Sequence, residues 1–248
     1  MTTSETVAER RAWVAQIMGM PISIHLRGAG VRTDPGVAAA VAEAFERLRA
    51  ADRLFSTYRP DSQVSAIRRG ELPAERWHPW VREVVLLCET ARQRTGGYFE
   101  AWPPTGFDPS GLVKGWAVAH AAALLTGFDD VDLCFNAGGD IMTKVCSPAS
   151  PAWRVGVEDP RDRRRILGVE EIRDGGLATS GSAARGSHII DPHTGEHPDE
   201  LLAVTVTGPS LLWADVYATA AFARGGDVEG WLHARAPGYR AWAVRRDA

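Results

Sequence analysis

Apolar positions along this chain follow the two periods of regular secondary structure, about 3.6 residues for helices and two for strands. Val41, Phe45 and Leu48, for example, fall on one side of a helix. The same pattern predicts helices over residues 37–54, 79–95, 112–125 and 211–223. Prolines near the start of the first two segments and glycines soon after the second and the fourth are typical of helix ends.

Alternating positions predict strands between these helices, most clearly at Ile22, Ile24 and Leu26. Strand character extends over residues 14–26, 131–136, 153–158, 203–207 and 239–244, and a polar loop is predicted at 56–65. Because several neighbouring strands are separated only by turns, we expect an α+β fold, not a doubly wound parallel sheet. We expect one compact domain over residues 13–248, with mixed or antiparallel sheets flanked by helices, after a disordered segment at 1–12.

Composition and charge exclude several classes of function. The 248 residues are 45% hydrophobic and 24% charged, which is ordinary for a globular protein. The net charge of −3 gives no reason to expect nucleic acid or an anionic membrane as a partner. The basic run at residues 161–165 is interpreted as a solvated loop. No run of about 18 apolar residues predicts a membrane span.

The cysteines and the first residues indicate a cytoplasmic location. Cys88, Cys134 and Cys146 are odd in number and lack metal-ligand spacing, and Cys88 and Cys134 lie in apolar runs typical of core positions. A reducing compartment fits this usage best. Residues 1–11 are polar and show neither the apolar segment of a signal peptide nor a lipid-attachment cysteine, so we expect a cytoplasmic protein.

The segment 211–223 carries the most informative polar pair. Asp215 and Thr219 are four residues apart, so they share one face of an otherwise apolar helix. A carboxylate and a hydroxyl are costly to bury unless their hydrogen-bonding capacity is satisfied. A hard cation such as Mg²⁺ would satisfy them, because it takes oxygen ligands. A hydrogen-bonded polar pair inside a core is the alternative.

Other polar segments have both a functional and a purely structural interpretation. Tyr58 with Arg59 can stack on a planar ring, or belong to a surface turn. Asp108 or Ser110 can cap a helix whose N-terminus attracts phosphate, with Lys114 adding charge, or the helix can simply be capped. Segments 136–140 (NAGGD) and 179–181 (TSG) can belong to a ligand-binding site or can simply form turns. His188 can transfer protons near neutral pH or can have a purely structural role.

Seven of these segments, spread over about residues 17–225, occur in the order seen in the ApbE family of FAD:protein FMN transferases. They are 18–20 (MGM), 56–62 (STYRPDS), 108–118 (DPSGLVKGWAV), 136–141 (NAGGDI), 180–181 (SG), 188–195 (HIIDPHTG) and 214–219 (ADVYAT). The resemblance implies an ApbE-like, T-fold-like α+β domain and a Mg²⁺-dependent reaction. FAD is cleaved, FMN is attached by a phosphoester to a threonine or serine of an acceptor flavoprotein, and AMP leaves.

The resemblance also assigns residues. The metal ligands it implies are the backbone carbonyl of Gly111 and the side chains of Asp215 and Thr219. His188 is expected to move the proton, with Asp191 assisting. The residues that it places along the FAD site are Met18, Tyr58, Tyr98, Phe99, Glu100, Asp108, Lys114 and Ile190.

The chain departs from the family pattern at two positions and leaves three alternatives open. Ala119 stands where the family usually has aspartate, and Glu100 follows Phe99 where the family has Phe-Asp. The alternatives are an FAD pyrophosphatase that gives FMN and AMP, a catalytically impaired FAD-binding protein, and an unrelated α+β domain. The expected partners are FAD and the acceptor flavoprotein, and the protein is expected to be a monomer or a homodimer.

Overall fold

The computed structural model describes residues 9–182 and 189–246, which contain six α-helices and nine strands. The helices, α1 to α6, are Pro35–Phe55, Gln63–Arg68, Pro79–Thr95, Ser110–Ala122, Leu211–Arg224 and Val228–Arg235. The strands, β1 to β9, are Arg10–Ile17, Met20–Gly28, Val131–Ala137, Asp140–Lys144, Trp153–Asp159, Asp162–Ile172, Gly175–Gly181, Leu201–Gly208 and Arg240–Arg245.

Seven strands form the main sheet in the order β1-β2-β3-β4-β7-β8-β9, and β5 and β6 form a separate two-stranded ribbon. Every neighbouring pair in both sheets is antiparallel. The predicted α+β fold, one compact domain of antiparallel sheets flanked by helices, is therefore confirmed.

The helices α4 and α5 pack against each other and carry Lys114, Asp215 and Thr219, which are described below. Gly115 of α4 makes their close approach possible, because a Cβ atom there would lie 2.7 Å from Cα of Leu212 in α5. Gly176 of β7 does the same on the other side, where a Cβ atom would lie 2.5 Å from Cα of Leu211. Backbone atoms cannot move aside at such distances, so these two glycines fix where α5 lies.

A buried arginine, Arg27, connects the main sheet to the start of the ribbon. Nε of Arg27 in β2 lies 2.8 Å from Oδ2 of Asp132 in β3, and both side chains are almost completely buried. The same guanidinium donates to the carbonyl of Pro151 and lies 4.2 Å from the ring of Trp153, where β5 begins. One arginine thus holds two strands of the sheet and the start of the ribbon.

The predicted helices over residues 37–54, 79–95, 112–125 and 211–223 correspond to α1, α3, α4 and α5, although α4 ends at Ala122. The predicted loop at 56–65 was wrong at its end, because Ser62 caps α2. The basic run at 161–165 is solvent-exposed as expected, but most of it belongs to β6 and not to a loop. The predicted boundary at residue 13 falls within β1, which begins at Arg10.

The three cysteines are free thiols. Burial raises the pKa of Cys88 to about 12 and that of Cys134 to about 11. Both therefore stay protonated near neutral pH and are poor nucleophiles, because the thiolate is the reactive form. None of the helices in the described residues is long and apolar enough to span a membrane.

Candidate active site

The site is built around α5, which packs against β7, β8 and α4. Its apolar residues are buried on nearly all sides, and Gly225, with a φ of +67°, ends it. Within this helix Asp215 is only 2% exposed, so its carboxylate is held inside the protein. A buried carboxylate needs a cation or strong donors nearby, and these come from neighbouring elements.

Lys114 of α4 supplies a cation to two buried carboxylates. Its Nζ forms an ion pair with Oδ2 of Asp140, at the start of β4, and lies 3.9 Å from Oδ1 of Asp215. The lysine side chain is 22% exposed, whereas Asp140 is 2% exposed. We call Lys114, Asp140 and Asp215 the charged triad. The positive charge of the triad borders the solvent, whereas its two negative charges are buried.

Thr219 lies one turn after Asp215, next to Gly111. A Cβ atom on Gly111 would lie 3.3 Å from Oγ1 of Thr219 and 3.2 Å from the ring of Phe99. The same hydroxyl is 3.1 Å from Oγ of Ser180, in β7. The structure therefore places Phe99 and Thr219 beside Gly111, with Ser180 next to Thr219.

A turn that contains Gly138 and Gly139 places Asp140 next to Lys114. Gly138 and Gly139 have φ values of +63° and +102°, and the Asn136 side chain accepts a hydrogen bond of 2.9 Å from the Gly139 amide. Only glycine adopts such angles readily, so this turn lets β4 begin where β3 ends. Oδ1 of Asp140 then accepts from the amide of Thr179 at 3.3 Å.

Sequence reasoning singled out the segments that contain Asp140 and Ser180 but assigned neither residue to the site. The signal available was a pair of glycines at the end of a buried strand, followed at once by a carboxylate. That signal does not say which helix the carboxylate meets. The pairing with Lys114 depends on the order of the strands and on how α4 lies beside α5.

The oxygen atoms at this site are of the kind that Mg²⁺ prefers. A buried carboxylate, a hydroxyl and a backbone carbonyl are hard donors, and three of them leave positions for phosphate oxygens and water. The described residues contain no cluster of three His, Cys, Asp or Glu side chains that could hold a metal. By the type of their oxygen donors, the side chains of Asp215 and Thr219 and the carbonyl of Gly111 fit a hard cation such as Mg²⁺ better than a soft metal.

The N-cap residue of α4 is Pro109, so neither Asp108 nor Ser110 takes the predicted N-cap position. Oδ1 of Asp108 accepts from the Ser110 amide at 3.0 Å, at the start of α4. Its Oδ2 pairs with Arg68 at 2.7 Å, and the same arginine donates to the carbonyl of Phe107. Asp108 is thus fixed three residues before Gly111, with its charge already balanced by Arg68.

Three other predicted flavin contacts lie on loops. Met18 has a φ of +56° in the turn between β1 and β2, and Tyr58 is 90% exposed in the loop after α1. Glu100 accepts from Arg92 at 3.0 Å and from the Trp102 amide at 2.7 Å. The ring of Tyr58 is therefore accessible from solvent.

The loop of residues 189–197 is held against the end of α3. Nε2 of His193 is 3.1 Å from the carbonyl oxygen of Gly96, and its ring lies 4.5 Å from that of Tyr98. Oδ1 of Asp191 accepts from the His193 amide at 2.9 Å, which shapes this turn. The side chain of Ile190 is exposed. His188, the predicted proton carrier, lies outside the described residues.

The departure at Ala119 lies away from the charged triad. Ala119 is five residues after Lys114, which places it about 140° around α4. The next residue, His120, has Nε2 3.1 Å from Oε1 of Glu83, on α3, and its ring lies 4.2 Å from Trp116. The missing aspartate therefore leaves the contacts of Lys114 with Asp140 and Asp215 in place.

Solved structures share this fold. An ApbE protein from Thermotoga maritima aligns with a TM-score of 0.82 at 19% identity over 97% of this chain and 96% of its own. The apo form of the flavinyl transferase ApbE from Pseudomonas stutzeri gives 0.81 at 21% over 99% and 94%. The flavin transferase ApbE from Vibrio cholerae gives 0.76 at 22% over 96% and 97%. At these identities the likeness shows the fold.

Sequence comparison identifies the family. An FAD:protein FMN transferase from Rhodobacter capsulatus is 26% identical over 214 residues, which cover 78% of this chain and 39% of the relative. The chain thus spans about two fifths of the length of that curated relative. The model of the ApbE family matches residues 18–102 and 100–242, which is nearly all of the chain. This protein belongs to the ApbE family.

Proposed function

We propose that this protein is a Mg²⁺-dependent FAD:protein FMN transferase. It cleaves the pyrophosphate of FAD, releases AMP and joins FMN through a phosphoester to a threonine or serine of an acceptor flavoprotein. The observation that carries the proposal is the charged triad beside Gly111 and Thr219, in a chain of the ApbE family. Buried carboxylates beside a lysine suit a substrate that brings both phosphates and a divalent cation.

Different residues of the site would bind the metal ion and the phosphates of FAD. Asp215, Thr219 and the carbonyl of Gly111 would hold Mg²⁺, which neutralises negative charge on the phosphate oxygens as AMP departs. Lys114 reaches the surface from the same place and offers a compact positive charge to the phosphates. Ser180 keeps the Thr219 hydroxyl in position through their 3.1 Å hydrogen bond.

The transfer step breaks one P–O bond and forms another. The acceptor hydroxyl oxygen attacks the phosphorus on the FMN side, the bond to the AMP oxygen breaks, and AMP leaves with that electron pair. The proton of the hydroxyl must be removed, and we assign this to His188, with Asp191 three residues further along the chain assisting. A histidine suits this role because its pKa lies near neutral pH.

Replacing Tyr58 tests whether its exposed ring binds the flavin. Tyr58→Ala should weaken FAD binding by a few-fold to about tenfold, since an aromatic pair contributes about 0.5–1.5 kcal/mol. Thermal stability should stay the same, because the side chain is 90% exposed. Tyr58→Phe keeps the ring and should bind FAD like the wild type. Equal affinity of all three proteins in a fluorescence titration would remove Tyr58 from the site.

The reaction itself is tested by incubating the protein with FAD and either Mg²⁺ or EDTA, with and without a candidate acceptor flavoprotein. AMP is measured by chromatography and the acceptor by mass spectrometry, with a Thr→Ala acceptor as the control. The transferase is supported if AMP release depends on Mg²⁺ and if FMN is found on the unaltered acceptor but not on the Thr→Ala acceptor. AMP with free FMN in the absence of acceptor indicates the pyrophosphatase instead, and FAD binding without AMP in every mixture indicates a flavin-binding protein.

A further inference from the structure

Lys114 is chemically distinctive in this chain. The protein has 28 basic residues, but only Lys114 and Lys144 are lysines. One of the two lies beside a pair of buried carboxylates, where its Nζ contacts Asp140 and is 3.9 Å from Asp215. A lysine ammonium is a compact point charge on a flexible stem, whereas the flat guanidinium of arginine favours one fixed orientation.

The ammonium of Lys114 lies close to the carboxylate that we propose as a metal ligand, that of Asp215. Under the proposed function the Asp215 carboxylate binds Mg²⁺, yet in this structure a cation of the protein itself already lies 3.9 Å from that carboxylate. An ammonium and a divalent cation repel each other strongly at such separations inside a protein. The lysine ammonium and the metal ion therefore compete for the negative charge of Asp215.

We propose that Lys114 is a tethered counter-ion that metal binding displaces from Asp215. In the metal-free protein its ammonium balances Asp140 and Asp215. When a divalent cation binds Asp215, the ammonium moves towards the open side, where the pyrophosphate lies. The inference rests on the metal site of the proposed function. It makes Lys114 a positioning residue that links metal binding to substrate binding.

The side chain has the freedom that this displacement needs. Lys114 is 22% exposed, so its ammonium already borders solvent, while Asp140 and Asp215 stay buried. Asp140 is held by the Thr179 amide and by the glycine turn before it, so it cannot follow the lysine. The stem of Lys114 can change rotamer without moving α4, because its four methylene carbons rotate independently.

Calorimetry with Mg²⁺ alone tests the competition. Lys114→Met removes the charge and keeps the length of the side chain, so Mg²⁺ should bind about tenfold more tightly than to the wild type. Lys144→Met is the matched control, since Lys144 lies at the far end of β4, about 13 Å along the strand from Asp140. It should leave the Mg²⁺ affinity unchanged. Unchanged or weaker binding in Lys114→Met overturns the displacement.

Lysine-selective ¹³C labelling gives a second measurement on the unaltered protein. The wild type has two lysine Cε signals, which Lys144→Met assigns. Mg²⁺ should shift the Lys114 signal and leave that of Lys144 in place. A Lys114 signal that stays fixed, while calorimetry shows Mg²⁺ bound, contradicts the proposal. This measurement decides the question even if Lys114→Met does not fold.

The two possible failures can be told apart. If Mg²⁺ binds the wild type and the Asp215→Asn variant equally, the metal site of the proposed function is wrong. If Asp215→Asn loses Mg²⁺ binding but Lys114→Met does not gain it and the Lys114 signal does not move, the metal site stands. In that case only the displacement of Lys114 is wrong.

Discussion

Asp215→Asn is expected to lower the AMP release from FAD that we propose to be Mg²⁺-dependent by about a thousandfold or more. The substitution keeps the shape of the side chain but removes the negative charge that would hold Mg²⁺. Loss of metal stabilisation costs several kcal/mol in the transition state, and each 1.36 kcal/mol is a factor of ten in rate. Initial rates of AMP release at saturating FAD measure the effect.

The control for this prediction is Asp159→Asn. Asp159 is also buried, at 4% exposure, but lies in the ribbon, where its Oδ1 accepts from the Arg161 amide. An asparagine keeps that oxygen acceptor, so this variant should release AMP like the wild type. Full Mg²⁺-dependent turnover in Asp215→Asn, with FAD bound normally, would show that this carboxylate does not hold the metal.

Asp132→Ala is expected to lower the free energy of unfolding by about 3–5 kcal/mol, because it leaves the Arg27 charge buried without its carboxylate. Arg27 is 5% exposed, so water does not replace the lost partner. Oδ1 of Asp132 also accepts from the Cys146 amide at 2.7 Å, and that bond disappears too. Urea unfolding followed by circular dichroism measures the difference.

An exposed ion pair of the ribbon provides the matched comparison. Nε of Arg154 lies 3.7 Å from Oε1 of Glu171, and both side chains are about 70% exposed. Glu171→Ala should therefore cost less than about 1 kcal/mol, since water screens such pairs. If both variants lose the same small amount of stability, the buried pair contributes no more to stability than the exposed pair.

Local patterns in the sequence predicted the longer helices well. The helix at residues 79–95 has an apolar stripe, a proline in its first turn and Gly96 in the left-handed conformation at its end. Each of these signals lies within the segment itself, so no tertiary information is needed. The helix α2, capped by Ser62, has only six residues and is too short to show a comparable apolar stripe.

The strands that the sequence did not predict have tertiary reasons. Gly175 and Gly176 make β7 resemble a loop, but they are required because Leu211 and the carbonyl of Gly208 come so close. The strand β6 forms because it pairs with β5 in an exposed ribbon, most regularly from Gly168 to Ile172, and its polar start continues that strand. Neither reason can be read from the segment alone, since in each case the partner lies elsewhere in the chain.

Local patterns of residues were enough to predict the α+β class, the main helices and the shared helix face of Asp215 and Thr219, because residues four apart on a helix lie on one face. The roles predicted for Tyr58, His188 and the other flavin contacts stay predictions. The contacts of Lys114 with both Asp140 and Asp215, in contrast, became visible only in the folded protein. Those contacts need a glycine turn, the order of seven strands and the close approach of α4 to α5 at Gly115, and no local period encodes their combination.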